Sequence, residues 1–536
     1  MTAFTRIANS FNLPKTQVQV VTKEIASDSP LEVLTDDVSE SDDLLLSVGS
    51  QLSSTSAILA LAVHGFSSNV DSNNLSSHSD TIFSHFNEAL AENSKLTMLP
   101  NYNIKATGNE CGLYLVIDLG GSTLRVAVID IAAPLLDDEE DRSGRIEVVI
   151  ENKWEINDSF KNINNKFFDF IASKIFETLS SQSLISMEKN TIINTGITWS
   201  FPLDQISHNR GKIVHVSKGY TVDPEIYNQD LKQVLELAMK RQHDLSLDVK
   251  VIINDSLAVY AAGSFVDAYM KLAMVLGTGA NMCCSLDTAK LHFEKTLDLD
   301  AVLLNSELSM FGMNLLQDLS TPYDKIIDDR FNRPSLNFKP HMEVDPEAMS
   351  IFQPSELMAS GRYLPELTRL VMVDMIKDGE LFAMIDRKSL ESLYLPYEGF
   401  TGELLCAVCE GDDTKKASEL LTKHYALSQL VCEEDVLKIR TIGNCVIERA
   451  AYIVASTIIA FIKLLKDHNG PFTSKYVDIG FVGSVLMYFH SYREKILKFV
   501  NGNEDIKELG LEVDLKPIEN SSIIGAAIGA AYYIDQ

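Results

Sequence analysis

Two glycine turns carry the residues best suited to chemistry in this 536-residue chain. The first lies within residues 113–130, LYLVIDLGGSTLRVAVID. Apolar and small residues alternate, break at Gly120 and Gly121, and alternate again, which predicts a β-hairpin. Asp118 ends the first strand with a carboxylate. Gly120, Gly121, Ser122 and Thr123 make a turn of backbone N–H groups and hydroxyls. Glycine lets such a backbone approach a ligand closely. An acid at the base of the turn suits a phosphate arriving with Mg²⁺, because the acid holds the metal's waters while the amides hold the phosphate. The alternative is a tight hairpin with Asp118 as a turn residue. Residues 272–286, LAMVLGTGANMCCSL, repeat the device with Gly277, Thr278 and Gly279. The recurrence suggests two similar halves, each offering a loop to one nucleotide. Neither turn reads GxxxxGK[ST], and neither opens a helix as GxGxxG. P-loop and dinucleotide-binding folds are therefore disfavoured.

Between and beyond the hairpins lie IINTGITWSFPLDQ at 192–205, IVHVSKGYTV at 213–222, VIINDSLAVY at 251–260, NSE at 305–307 and QPSELMASG at 353–361. In order and spacing these resemble the hexokinase family, from about Leu99 to the C-terminus. MLPNYN at 98–103, DLGGSTLR, NMCCSL, VGSV followed by YFHSYR, and ENSSIIGAAIGAAY at 519–532 resemble its fungal N-acetylglucosamine kinase branch more than glucose-phosphorylating hexokinases. The resemblance implies an α/β chain with the duplicated actin-like ATPase (hexokinase) fold, two lobes around a cleft. It also implies ATP-dependent phosphorylation of a sugar 6-hydroxyl.

Asp255 ends the apolar run VKVIIND before the helical pattern SLAVYAAGSF. Read alone, Asp255 or Ser256 is a helix cap. The resemblance makes Asp255 the general base that takes the 6-hydroxyl proton as that oxygen attacks the γ-phosphate. It implies a sugar shell of Ser200, Ser217, Lys218, Asn254, Asp255, Asn281, Glu307, Gln353 and Glu356, with Lys218 also catalytic. A lysine read alone is a solvated surface charge. The implied nucleotide site comprises Asp118, Gly120, Gly121, Ser122, Thr123, Arg125, Gly277, Thr278, Gly279, Gly483 and Ser484. Asp118 would orient Mg²⁺ through water, and Arg125 would neutralise charge or buttress the strand. Gly483 and Ser484 open a helix, where backbone amides meet phosphate. Val482 and residues 520–525, NSSIIG, depart from the usual hexokinase Asp-Gly-Ser and Asp-Gly-Ser-Gly-x-Gly patterns. Leu308 stands where hexokinases often carry Trp or Tyr, making room for a 2-acetamido group. Ser309 and Met282 replace smaller residues. Competing readings are a glucokinase of the same mechanism and a non-catalytic sugar sensor.

Composition sets outer bounds. The net charge of −29, from 46 basic and 75 acidic residues, disfavours nucleic acid and anionic membranes as partners. The expected partners are a small sugar and MgATP, with the chain a monomer or homodimer. Seven cysteines, two of them adjacent, do not form a disulfide framework, and a reduced cytoplasmic setting is expected. Cys406 and Cys409 have CxxC spacing but read as part of a buried helix face. The apolar run 450–465 is shorter than a membrane span and predicts a core helix.

The elements that position these residues divide as follows. Residues 1–80 are rich in Ser, Asp and Asn and read as a largely disordered extension, apart from a short helix at 57–66. Residues 111–254 with 516–536 are expected to form a small lobe. Residues 81–110 with 255–515 are expected to form a large lobe.

Overall fold

The computed structural model describes residues 56–102, 104–120, 122–134, 142–157, 160–181, 192–201, 203–214, 220–333, 336–411 and 413–534. These fall into two compact units. Residues 66–364 and 447–534 form one, and residues 56–65 and 365–446 form the other.

The larger unit contains two sheets. In the first the strands run in the order Ser246–Ile253, Ile192–Trp199, Gly112–Leu119, Thr123–Ile131, Ile146–Glu155. The second runs Glu512–Pro517, Tyr476–Val482, Met270–Leu276, Ala280–Asp287, Ala301–Asn305, with Leu99–Tyr102 added at its edge. The two orders correspond strand for strand. Each sheet begins with an antiparallel hairpin whose first strand also pairs in parallel with a later strand. This is the duplication that the two glycine turns suggested, and it is a mixed α/β architecture.

Strand alternation decides which helices cover each face. Leu115, Ile117 and Leu119 pack with Phe167, Ile171, Leu235 and Met239, from the helices Asn165–Ser180 and Leu231–His243. Their neighbours Tyr114 and Val116 face the other way, onto the helices Asp255–Val266 and Ser521–Tyr532. That second core also takes in Ala273, Cys283 and Leu303 of the second sheet. The helix pair therefore lies between the two sheets. Each buried Leu, Ile or Phe contributes roughly 1.5–3 kcal/mol. The two helices cross closely because one presents glycine: a Cβ at Gly525 would lie 2.1 Å from the carbonyl oxygen of Ala258. The catalytic-helix candidate and the C-terminal helix are thus locked at a fixed separation.

In the smaller unit, backbone N–H groups of Ala57 and Ile58 donate to the Glu380 carboxylate, which caps the helix Ala57–Ser67. The expected helix at 57–66 is present. The expectation of disorder fails for residues 56–80, because Ser72–Ala91 is also helical, with Asp71 as its N-cap. Its buried face, including Leu75, Ile82 and Phe86, supplies the apolar contact that the polar composition obscured. Residues 1–55 lie outside the described residues. Cys406 and Cys409 fall on the helix Gly402–Cys409, whose Leu404, Leu405 and Val408 are buried. The run 450–465 lies in the helix Glu433–Asn469, which is long and apolar enough to cross a membrane, yet 94% of its apolar window is buried in protein.

Candidate active site

Asp255 stands at the first position of the helix Asp255–Val266, directly after the strand Ser246–Ile253. The capping role belongs to its neighbour. Asn254 Oδ1 accepts from the backbone N–H of Leu257 at 2.9 Å and from Ser256 Oγ at 3.1 Å. Among the described residues Asp255 accepts only from the N–H of Ser256, at 2.9 Å, and it is exposed. Asn254, not Asp255, is the helix cap, and the Asp255 carboxylate stays exposed. Its negative charge helps raise the carboxyl pKa of both Asp118 and Glu307. Asp255 thus sits within electrostatic reach of both the turn acid and the implied sugar acid.

Asp118 is buried at the end of the first hairpin strand. Ser522 Oγ donates to its Oδ2 at 2.7 Å, and Arg125 Nη1 lies 3.5 Å from the same oxygen. Burial raises the Asp118 pKa, against the opposing pull of Ser522 and Arg125. Arg125 also donates to Glu151 at 2.7 Å, to Ser522 Oγ at 3.1 Å and to Asn520 at 2.9 Å. It occupies the buttress position that the sequence left open. Gly120 N donates to the Thr123 carbonyl at 2.9 Å and closes the turn. The Ser122 carbonyl accepts from Ile156 N at 2.8 Å, and Ser200 N donates to the Leu119 carbonyl at 3.1 Å. Gly121, Ser217 and Lys218 lie outside the described residues.

The second turn is held from behind. Gly277 N donates to the Gly279 carbonyl at 3.0 Å, and the Gly277 carbonyl accepts from Gly361 N at 2.7 Å. Ser360 Oγ donates to the Thr278 carbonyl at 2.9 Å. Glu356 Oε2 accepts from Ala280 N at 3.1 Å. A Cβ at Gly279 would lie 2.7 Å from that same oxygen, so glycine permits the carboxylate to approach. Gly483 and Ser484 abut this turn. A Cβ at Gly277 would lie 3.7 Å from Ser484 N, and Gly483 has φ +118°. The two glycine segments of the second sheet thereby form one surface.

Glu307 is held at φ +51°, a left-handed backbone that a side chain rarely adopts. Its Oε1 accepts from Asn305 Nδ2 at 2.7 Å, and Asn305 Oδ1 accepts from Asn281 Nδ2 at 2.7 Å. Asn281 Oδ1 in turn accepts from Met282 N at 2.8 Å. Asn281 thus positions the glutamate loop. Burial raises the pKa of Glu307 and of Glu356. Gln353 Nε2 donates to Ser309 Oγ at 2.9 Å. Met282 is fully buried, while Leu308 and Ser309 are 4% and 2% exposed.

The sequence reading missed the supporting residues Ser522, Asn520, Glu151, Asn305 and Ser360. Asn305, Ser360, Asn520 and Ser522 stood inside quoted motifs, but no local pattern ties Ser522 to Asp118, 404 positions away.

A hexokinase profile matches residues 66–265, and a second hexokinase profile matches residues 271–532. The chain is 53% identical over 488 residues to N-acetylglucosamine kinase 1 of Candida albicans, covering 90% of this chain and 95% of that protein. It is 26% identical to hexokinase HKDC1 of Homo sapiens, covering 80% of this chain and 43% of that one. Among solved structures, a hexokinase from Schistosoma mansoni complexed with glucose is similar in fold, with a TM-score of 0.68 at 21% identity, covering 88% of this chain and 98% of the other. With two family profiles spanning most of its length, the chain belongs to the hexokinase family.

Proposed function

We propose that this chain transfers the γ-phosphoryl group of ATP to the 6-hydroxyl of N-acetylglucosamine, giving N-acetylglucosamine 6-phosphate and ADP. The observation that carries this reading is the 53% identity, over nearly the whole of both chains, to a Candida albicans N-acetylglucosamine kinase. Asp255 accepts the 6-hydroxyl proton as the sugar oxygen forms its bond to phosphorus, and the bond to the ADP oxygen breaks. The hydroxyl alone is far too weak an acid to ionise near neutrality, so a carboxylate in reach lowers the barrier. Glu307 and Glu356, supplied by separate segments, accept hydrogen bonds from sugar hydroxyls. Ser200, Ser217, Lys218, Asn254 and Gln353 complete the shell, and Asn281 sets the Glu307 loop. The turns containing Gly120 and Gly277–Gly279, with Gly483 and Ser484, line the path of the phosphates, while Gly120 N and Gly277 N close their own turns.

Asp118 fits a magnesium role. Both its polar contacts fall on Oδ2, leaving Oδ1 without a protein partner among the described residues. A buried carboxylate with a raised pKa also gains from a nearby cation. Bound Mg²⁺ would neutralise phosphate charge. The first and second sheets, with residues 111–254 plus 516–536 and 81–110 plus 255–515, form the lobes that grip the two substrates. The setting is cytoplasmic, in keeping with seven cysteines that no disulfide joins.

A coupled ADP-release assay with N-acetylglucosamine, glucose, mannose and fructose tests the reading. N-acetylglucosamine should give the highest kcat/KM. Preference for glucose would reassign the enzyme as a glucokinase, and no ADP release with any sugar would reduce it to a binding protein.

A further inference from the structure

Lys295 is 1% exposed, a rare place for an ammonium group. No carboxylate among the described residues neutralises it. Its Nζ donates instead to three backbone carbonyls, those of Ser94 at 2.9 Å, Thr97 at 3.2 Å and Met98 at 2.8 Å. A protonated lysine has three N–H donors and no acceptor, so the direction of all three bonds is fixed. Three buried carbonyl oxygens turned toward one point need donors there, and the ammonium supplies one to each.

The gathered segment leads to the Glu307 loop. Ser94 Oγ and Thr97 Oγ1 both donate to the His341 carbonyl, which ties the segment down a second time. Met98 follows at φ +50°, the same left-handed backbone that Glu307 holds. Neither residue is glycine, so each conformation persists only because its surroundings impose it. Met98 N donates to the Ser306 carbonyl at 3.1 Å, and Ser306 N donates to the Met282 carbonyl at 3.1 Å. Ser306 is thus anchored through both backbone groups, immediately before Glu307. Leu99 pairs with Asn305, whose side chain donates to the Glu307 carboxylate.

We propose that Lys295 is a positioning residue for the sugar: its ammonium gathers the carbonyls of Ser94, Thr97 and Met98, holds the Met98 N–H against Ser306, and thereby aims Glu307. This rests on the reading of Glu307 as a sugar ligand, and it holds for N-acetylglucosamine and glucose alike. The charged and titratable groups around the cage are Lys95 and Glu294, paired at 2.7 Å, His292 beside Glu294, and His341 with His85, Glu88 and Lys339. Burial, with Lys95 adding to it, lowers the Lys295 pKa to about 8. Loss of that proton leaves two donors for three carbonyls, and the segment slackens. Sugar affinity therefore falls as pH rises through about 8. Stability has the opposite sign. The unfolded lysine keeps its proton to about 10.4, so this group adds stability as pH rises between the two values. A loss of sugar affinity in that window is not unfolding driven by Lys295.

The test measures kcat and the KM values for sugar and MgATP below and above pH 8. It compares the wild type, Lys295→Met, Lys295→Gln and Glu307→Gln, with thermal unfolding at each pH. Lys295→Met should raise the sugar KM about ten-fold at neutral pH, within the cost of a misplacement near 1 Å, while kcat and the KM for MgATP change little. Lys295→Gln keeps two N–H donors and should raise it less. The wild-type sugar KM should rise several-fold above pH 8, and neither Lys295 variant should show that rise. A folded Lys295→Met with the wild-type sugar KM, an equal rise in both KM values, or an alkaline rise that persists in that variant overturns the inference. So does a wild-type sugar KM that stays flat through pH 8, a result that needs no variant to fold. Glu307→Gln separates this from the parent reading. An unchanged sugar KM there removes Glu307 as a ligand, whereas a raised one leaves it standing whatever Lys295 does.

Discussion

The two glycine hairpins share a backbone plan and differ in what they bring to it. The first ends its leading strand with Asp118, clasped by Ser522 and Arg125. The second has no ionisable residue in its turn, and a carboxylate from elsewhere, Glu356, reaches Ala280 through the space left by Gly279. One half supplies fixed charge beside a turn, and the other supplies close backbone approach. Duplication of a fold therefore repeats the positions at strand ends, while the chemistry depends on the residue placed at each one.

Substitutions can break this division of labour. The largest effect is expected at the junction of the halves, where Asp255→Asn should cut kcat by roughly two to four orders of magnitude. Sugar binding, read by isothermal calorimetry, should persist. A folded Asp255→Asn enzyme with normal turnover would remove Asp255 from the chemistry. Next comes the charged hairpin. Asp118→Asn should lower kcat/KM for MgATP by about 10²-fold, the scale for losing one preorganised charge contact. Thr278→Ala, in the uncharged turn, should cost far less. Equal losses at the two sites would contradict the comparison. Gly279→Ala sharpens it further. The added methyl would meet Glu356 Oε2 at 2.7 Å and displace the carboxylate. KM for the sugar should rise by tens of fold, since misplacement near 1 Å costs up to about 10². KM for ATP should change less.

The smallest effect concerns pH. Burial raises the pKa of Asp118, Glu307 and Glu356. Each works as a carboxylate, so protonation removes its function. The acid limb of kcat/KM should therefore lie above the ordinary carboxylate range of about 4. Stability runs the other way. A carboxyl whose folded pKa is raised binds more protons in the native than in the unfolded state between the two values. These groups should lower Tm as pH rises from the unfolded pKa through the folded one. A pH-rate profile and a set of melting curves on apo enzyme check the two signs independently.

Much of this was legible in the chain, and the gaps have physical causes. Both hairpins announced themselves through alternation broken by glycine, and each forms at its predicted place. Asp255 was visible as a strand-end acid, but only coordinates show that Asn254 takes the cap and leaves it open. Asn281 read as a sugar contact, whereas its amide is engaged with Asn305 and Met282. The helix Ser72–Ala91 was obscured because its exposed face is Ser- and Asn-rich, and the buried stripe of Leu75, Ile82 and Phe86 is sparse. The Ser522–Asp118 and Ser309–Gln353 contacts join distant segments, and no local period encodes such a pair.

A competition experiment tests the central claim most directly. Equal concentrations of N-acetylglucosamine and glucose are incubated with the full chain and limiting MgATP, and the phosphorylated products are quantified by ³¹P NMR. The product ratio reports the ratio of kcat/KM values without separate rate constants. The account predicts N-acetylglucosamine 6-phosphate in roughly 10–200-fold excess, the discrimination available from a filled apolar subpocket. A predominance of glucose 6-phosphate, or phosphate on a hydroxyl other than the sixth, would contradict it.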